Sequence, residues 1–209
     1  MPERHECAGK RLNRFGRHLY EPVWRDRLRM FAQTIPPGMT DWLFNRGSLT
    51  RRLQIACPQG FRVELLQQAW QRPMLNEAMR LGVSPDRLAL VRQVYLFCHT
   101  QPVVYARTVI PISTLSGAER HLACLGNRPL GAVLFARANM SRDEVEVACI
   151  RPAQRIFTPA TQVLESKPAS IWGRRSVFYL SRKPLLVSEV FLPGIAACRT
   201  TVEDAESAS

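Results

Sequence analysis

Two charged residues stand where strands should be apolar. In residues 88–99, Leu88, Leu90, Arg92, Val94, Leu96 and Cys98 share one face, because side chains on a strand alternate. Arg92 falls in the middle of that set. Near the C-terminus the same spacing groups Glu189 with Leu185, Val187 and Phe191, and the opposite face (Leu186, Ser188, Val190, Leu192) is also largely apolar. A charge facing a core is costly unless it is paired or solvated, and two kinds of arrangement meet that demand. In one, Arg92 and Glu189 form a buried ion pair, or either strand is an edge whose charge faces water. In the other they line a closed apolar pocket, where a planar guanidinium grips a carboxylate through two parallel hydrogen bonds and the glutamate holds a hydroxyl. If the hairpin pairs Cys98 near Val103, then Tyr105, Arg107 and Val109 join the Arg92 face. Arg107 then becomes a further substrate contact, whereas a one-residue slip removes it. Two arginines and a glutamate on one apolar face suit a small molecule with more than one carboxylate and a hydroxyl.

These side chains need a sheet to position them. Residues 88–99 and 103–112 are rich in β-branched, aromatic and leucine residues and read as a long-armed hairpin turning at 99–102. A second hairpin spans 172–182 and 184–193, turning at 181–183, and 61–70 and 144–150 read as further strands. Helices are expected from Thr40 to Asn45, from Leu49 to about Ala56 with Ser48 as cap, and around 130–137. Another, at 117–125, follows a Ser116/Glu119 capping box. Residues 71–87 read as a loop with a single helical turn, and 151–170, with three prolines and no period, as an inserted surface loop. Antiparallel strands with helices between hairpins give a single α+β domain over 39–198. A basic arm, 1–38, precedes it as partly disordered or helical chain, and a disordered acidic tail, 199–209, follows.

Composition narrows the chemistry. Six scattered cysteines and four histidines show no metal-ligand or redox spacing, so free thiols and no metal are expected. There is no apolar run of about 18 residues to cross a bilayer, and no signal-like apolar stretch at the start, which places the protein in the cytoplasm. Of the residues behind the net charge of +12, eight arginines and lysines lie in the N-terminal arm, where charge describes partners poorly. At most a weak membrane-surface contact through that arm is expected. No nucleic-acid motif accompanies the charge.

The chain also resembles the chorismate pyruvate-lyase family of ubiquinone biosynthesis, over residues 41–193. The resemblance rests on the ordered blocks Ala106-Arg107-Thr108-Val109-Ile110-Pro111-Ile112-Ser113-Thr114-Leu115-Ser116-Gly117, Leu125-Gly126 with Pro129-Leu130-Gly131, and Trp172-Gly173-Arg174-Arg175-Ser176. It closes on Lys183-Pro184-Leu185-Leu186-Val187-Ser188-Glu189-Val190-Phe191-Leu192-Pro193. It implies an antiparallel sheet of about six strands with helical flaps over an internal cavity, in a monomer that uses no cofactor. The implied reaction turns chorismate into 4-hydroxybenzoate and pyruvate. Arg92 and Glu189 are the implied catalytic residues, Arg92 on the ring carboxylate and Glu189 on the 4-hydroxyl, as a base or a positioning group. Leu49 and Leu130 take the other two ligand positions; methionine is familiar in the family where Leu49 stands. The same fold also serves effector domains of transcription regulators, so a non-catalytic ligand-binding domain is the alternative. Only about 40 residues precede the matching region, which begins at residue 41, fewer than the winged-helix domain of such a regulator needs.

Overall fold

The computed structural model describes residues 20–26 and 35–198. Most of the basic arm and all of the acidic tail lie outside the described residues. The described chain runs β1 (Arg25–Asp26), α1 (Thr40–Phe44), α2 (Leu49–Ala56), β2 (Phe61–Gln71), α3 (Leu75–Leu81), β3 (Ala89–Cys98) and β4 (Gln101–Pro111). A 3-10 helix (Gly117–Cys124) leads to α4 (Leu130–Phe135), β5 (Met140–Arg142), β6 (Glu146–Ile150), α5 (Phe157–Thr161), β7 (Ile171–Leu180) and β8 (Lys183–Phe191), and a second 3-10 helix (Pro193–Ala197) follows. The strands form one antiparallel sheet in the order β1-β6-β7-β8-β4-β3-β2, with the short β5 on β7. Six longer strands and helices between them make the expected α+β domain. No helix among the described residues is long and apolar enough to cross a membrane.

Helices cover both faces of the sheet, so the central strands are buried on both sides. On one face Trp42 and Leu43 of α1 and Leu49 and Leu53 of α2 pack on Val94, Val104 and Phe191. Farther along, Leu130 and Leu134 of α4 join Leu122, Leu90 and Val187. On the other face lie Met74, Ile156, Phe157 and Ala160, with Leu81 of α3 against Val91, Val109 and Val177. Double burial explains why β3 and β4 read as almost continuous apolar runs rather than alternating ones.

Several expectations are corrected. The first hairpin turns on two residues, with Cys98 opposite Gln101, and the register shifts between Leu96 and Phe97, which leaves Val103 without a ladder partner. The second hairpin turns at Ser181 and Arg182, both at positive φ (50° and 65°), the conformation that two-residue hairpins favour. Residues 71–87 hold a true helix, α3. Residues 151–170 contain α5, and its Phe157 and Ala160 are core residues. The 117–125 helix is 3-10 in form with no side-chain cap; Glu119 bonds Lys183 Nζ at 2.7 Å instead. The free-thiol expectation fails for two cysteines. Cys57, at the end of α2, and Cys98, at the end of β3, form a disulfide with Cα atoms 5.5 Å apart. Their sequence separation of 41 gave no hint of it.

Residues 20–26 are tied to the domain. Glu21 is buried and its carboxylate accepts the N–H groups of Leu75 and Asn76, both at 2.8 Å, at the start of α3. Tyr20 O accepts from Arg155 N, and β1 pairs with β6. Deleting residues 1–19 is therefore expected to leave the melting temperature of the full chain nearly unchanged. Extending the deletion through Asp26 uncaps α3, and loss of a cap costs about 1 kcal/mol. Paired thermal melts check both.

Candidate active site

The pocket forms where the sheet face of Arg92 meets α2 and α4. Arg92 on β3 pairs with Thr108 on β4, Thr108 with Val187 on β8, and Glu189 on β8 with Arg174 on β7. Side chains of Arg92, Thr108, Glu189 and Arg174 therefore share one face, and all four line the pocket. Leu49, the first residue of α2, and Leu130, the first residue of α4, close it from above. The two helices touch closely: a Cβ on Gly131 would sit 2.6 Å from Thr50 Oγ1, so any larger residue there would have to displace the Thr50 side chain. Arg142, at the end of β5, and Phe178 complete the side next to β7.

Arg92 is 2% exposed, and its Nη2 donates to the carbonyls of Gly126 (2.8 Å) and Arg128 (3.1 Å). Its Nε is buried without any hydrogen-bond partner, and no carboxylate pairs with it among the described residues. Burial alone pulls its pKa down to about 10, so it remains charged at neutral pH. The ion pair of Arg92 with Glu189 does not form. Glu189 Oε2 instead accepts Arg174 Nε at 2.6 Å, and Arg174 Nη1 is fixed by the carbonyls of Trp42 (2.9 Å) and Asn45 (2.7 Å). The Arg174 side chain is 2% exposed and that of Glu189 18%, so the arginine is closed off while the carboxylate still reaches the cavity.

The sequence-predicted residues Arg92, Glu189, Leu49 and Leu130 come together here; Arg107 does not. The shifted register sets it opposite Gln93, on the other face, where Nε and Nη2 bond the two carboxylate oxygens of Glu77 at 2.7 and 3.1 Å. Burial works against the Arg107 charge, but Glu77 outweighs it and raises the pKa. Two pocket residues were missed. Arg174 carried the same signal as Arg92, a charge flanked by Trp172, Ser176 and Phe178 on an apolar face. Arg142 lies in a three-residue strand too short to show a pattern. Three guanidiniums against one carboxylate leave the pocket with positive charge in excess. Apart from the pocket, Cys57, Cys98 and Cys198 bring their sulfurs within 4.8 Å of one another, but the disulfide uses two of them.

The cavity under α2 and α4 is thus cationic and mostly apolar. The sequence profile described as Chorismate lyase matches residues 21–199. The chain belongs to the chorismate lyase family. Members named "Probable chorismate pyruvate-lyase" include one from Methylococcus capsulatus, 43% identical over 157 residues, which cover 75% of this chain and 96% of the relative. Another, from Nitrosomonas europaea, is 41% identical over 160 residues, covering 77% and 89% respectively. In fold, the chain is similar to the C-terminal domain of histidine utilization repressor from Pseudomonas syringae, with a TM-score of 0.51 and 10% identity over 68% of this chain and 96% of that one. The chorismate lyase fold is thus shared with a domain of a repressor.

Proposed function

We propose that this pocket converts chorismate to 4-hydroxybenzoate and pyruvate, the step that supplies the ubiquinone ring, in a cytoplasmic, monomeric protein. The observation that carries the reading is Arg92, a guanidinium held charged inside an apolar cavity with no carboxylate of the described chain beside it. A buried cation without a counterion favours an anionic ligand, because the ligand then supplies the compensation that the chain withholds. Glu189 stands two strands and two residues away, roughly 12 Å between Cα atoms at usual sheet spacings. That gap, less the reach of the two side chains, suits a six-membered ring with a carboxylate at one end and a hydroxyl at the other.

In the reaction the C3–O bond to the enolpyruvyl group breaks and the hydrogen on C4 leaves as a proton. The C–H electron pair becomes the new ring double bond, and the released enolpyruvyl group takes up a proton to become pyruvate. Aromatisation drives the step, so the site contributes mainly orientation and exclusion of water. Arg92 fixes the ring through its carboxylate. Glu189 holds the 4-hydroxyl and orients C4, or takes its proton; Arg174 fixes the side chain that does either. Leu49 and Leu130 close over the ring, and each heads a helix, where backbone N–H groups lack partners within the helix. Leucine at position 49 presents an apolar wall of much the same volume as methionine.

No metal or cofactor enters this reading. Purified protein given chorismate in the presence of EDTA is expected to release 4-hydroxybenzoate and pyruvate in equal amounts, followed by absorbance and a coupled pyruvate assay. A requirement for added metal would overturn the cofactor-free reading. Binding of 4-hydroxybenzoate without turnover would instead favour a ligand-sensing module of the same fold.

A further inference from the structure

One partly buried cation lining the pocket has no part in holding the ring. Arg142 lies at the end of β5, opposite Phe178 of β7, with its guanidinium carbon 4.9 Å from that ring's centroid. Its Nη1 donates to the carbonyl of Arg46 at 2.9 Å, while its Nε is buried with no hydrogen-bond partner. The nearby acids are already engaged. Asp143 bonds Arg80 at 2.9 Å, Glu144 bonds Arg46, and Glu189 bonds Arg174 at 2.6 Å. Arg142 thus resembles Arg92, though it is more exposed: a partly desolvated guanidinium facing the cavity, its Nε unpartnered and with no ion-pair carboxylate among the described residues. Burial holds its pKa at about 10, low for an arginine yet charged at neutral pH.

Its position decides which group it meets. Strands β4, β8 and β7 separate Arg142 from Arg92, so the two cations stand on opposite sides of the cavity. The charges of Glu189, Arg174 and Arg46 act on Arg142, which puts it on the Glu189 side of the cavity. Arg142 therefore serves the Glu189 end. With the ring carboxylate on Arg92 and the 4-hydroxyl on Glu189, the neighbouring carbon C3 and its enolpyruvyl ether also lie at that end. Chorismate carries its second carboxylate there, and 4-hydroxybenzoate does not.

Building on the chorismate reading, we propose that Arg142 is the clamp for the enolpyruvyl carboxylate, the group that leaves as pyruvate. It is a substrate contact that distinguishes the dianionic substrate from the monoanionic product, and it holds the side chain still while the C3–O bond breaks. The separation of the two arginines explains why the cavity carries excess positive charge: one cation for each carboxylate. After cleavage the two carboxylates belong to different molecules, and only the one on Arg92 remains with the ring.

The test compares two ligands on one protein. Arg142→Gln is expected to raise the KM for chorismate at least 10-fold and to weaken inhibition by pyruvate, because a hydrogen bond to a charged group is lost. The Kd for 4-hydroxybenzoate, measured by fluorescence titration, should stay within about two-fold. Arg142→Lys keeps the charge without the planar fork and should fall between wild type and Arg142→Gln for chorismate, with 4-hydroxybenzoate again unchanged. It carries the same comparison should the glutamine variant not fold. Equal losses for both ligands would assign Arg142 a structural role, and an unchanged KM would remove it from the site; either overturns the proposal. If wild type neither turns over chorismate nor binds 4-hydroxybenzoate, the chorismate reading itself fails, and that is seen before any variant is made.

Discussion

Arg92→Ala is expected to lower kcat/KM for chorismate by about 10²–10³-fold and to weaken 4-hydroxybenzoate by a similar factor, since truncating one partner of a buried charge pair costs about 2–5 kcal/mol. Both ligands carry the ring carboxylate, so both should suffer. Glu189→Ala should divide differently, lowering kcat more than affinity, because orienting C4 or moving its proton matters most in the transition state. The melting temperature provides the second half of the test. Without ligand, Arg92 is a buried cation whose Nε is unpartnered and which no carboxylate balances among the described residues. Its removal relieves an unbalanced buried charge but gives up its bonds to the carbonyls of Gly126 and Arg128, so the ligand-free protein should lose little stability. Wild type should gain stability from 4-hydroxybenzoate by mass action, and Arg92→Ala should not. Thermal melts with and without the ligand measure all of this. A large drop in the melting temperature of ligand-free Arg92→Ala, with ligand stabilisation intact, would return Arg92 to a structural role.

The reverse pattern is expected on the other face of the sheet. Glu77 and Arg107 are both buried and joined by two hydrogen bonds, and Glu77 Oε2 also accepts Met74 N at 2.8 Å. Glu77→Gln or Arg107→Ala leaves one charge of this pair buried alone, at a cost of about 3–5 kcal/mol, or about 6 to 20 °C in melting temperature for a chain of this size. Catalysis per folded molecule should change little, because neither side chain reaches the pocket of Arg92. Measuring kcat and 4-hydroxybenzoate affinity at a temperature where the variants are folded separates the two effects. A selective loss of ligand affinity in Arg107→Ala would restore Arg107 to the site.

The residues of the pocket differ in how far the chain betrays them. Arg92 and Glu189 were legible because a charge in the middle of an apolar strand face is costly without a local purpose, and strand periodicity makes it visible. Leu49 and Leu130 were not legible in that way. A leucine at the head of a helix looks like any core leucine, and only the resemblance pointed to them. Arg107 went astray through a single residue: Val103 drops out of the ladder, and the parity of everything beyond it changes. Sequence periodicity does not register such a bulge. Helix α3 was read as a loop because its cap is backbone-directed, with Met74 at the N-cap and the matching carboxylate on Glu77. Arg142 owes its place to β5 lying along β7, a tertiary fact with no local trace.

The bond between Cys57 and Cys98 fixes one end of α2 to β3, while Leu49 at the other end presses on the cavity. The helix is eight residues long, about 12 Å. The link at its C-terminal end restrains separation of the helix from the sheet there more than it restrains rotation about that end. A swing of about 10° then carries its far end through about 2 Å, given that length. The disulfide thus restrains the end of α2 that lies away from the cavity, while the end that lines it packs against Gly131 of α4.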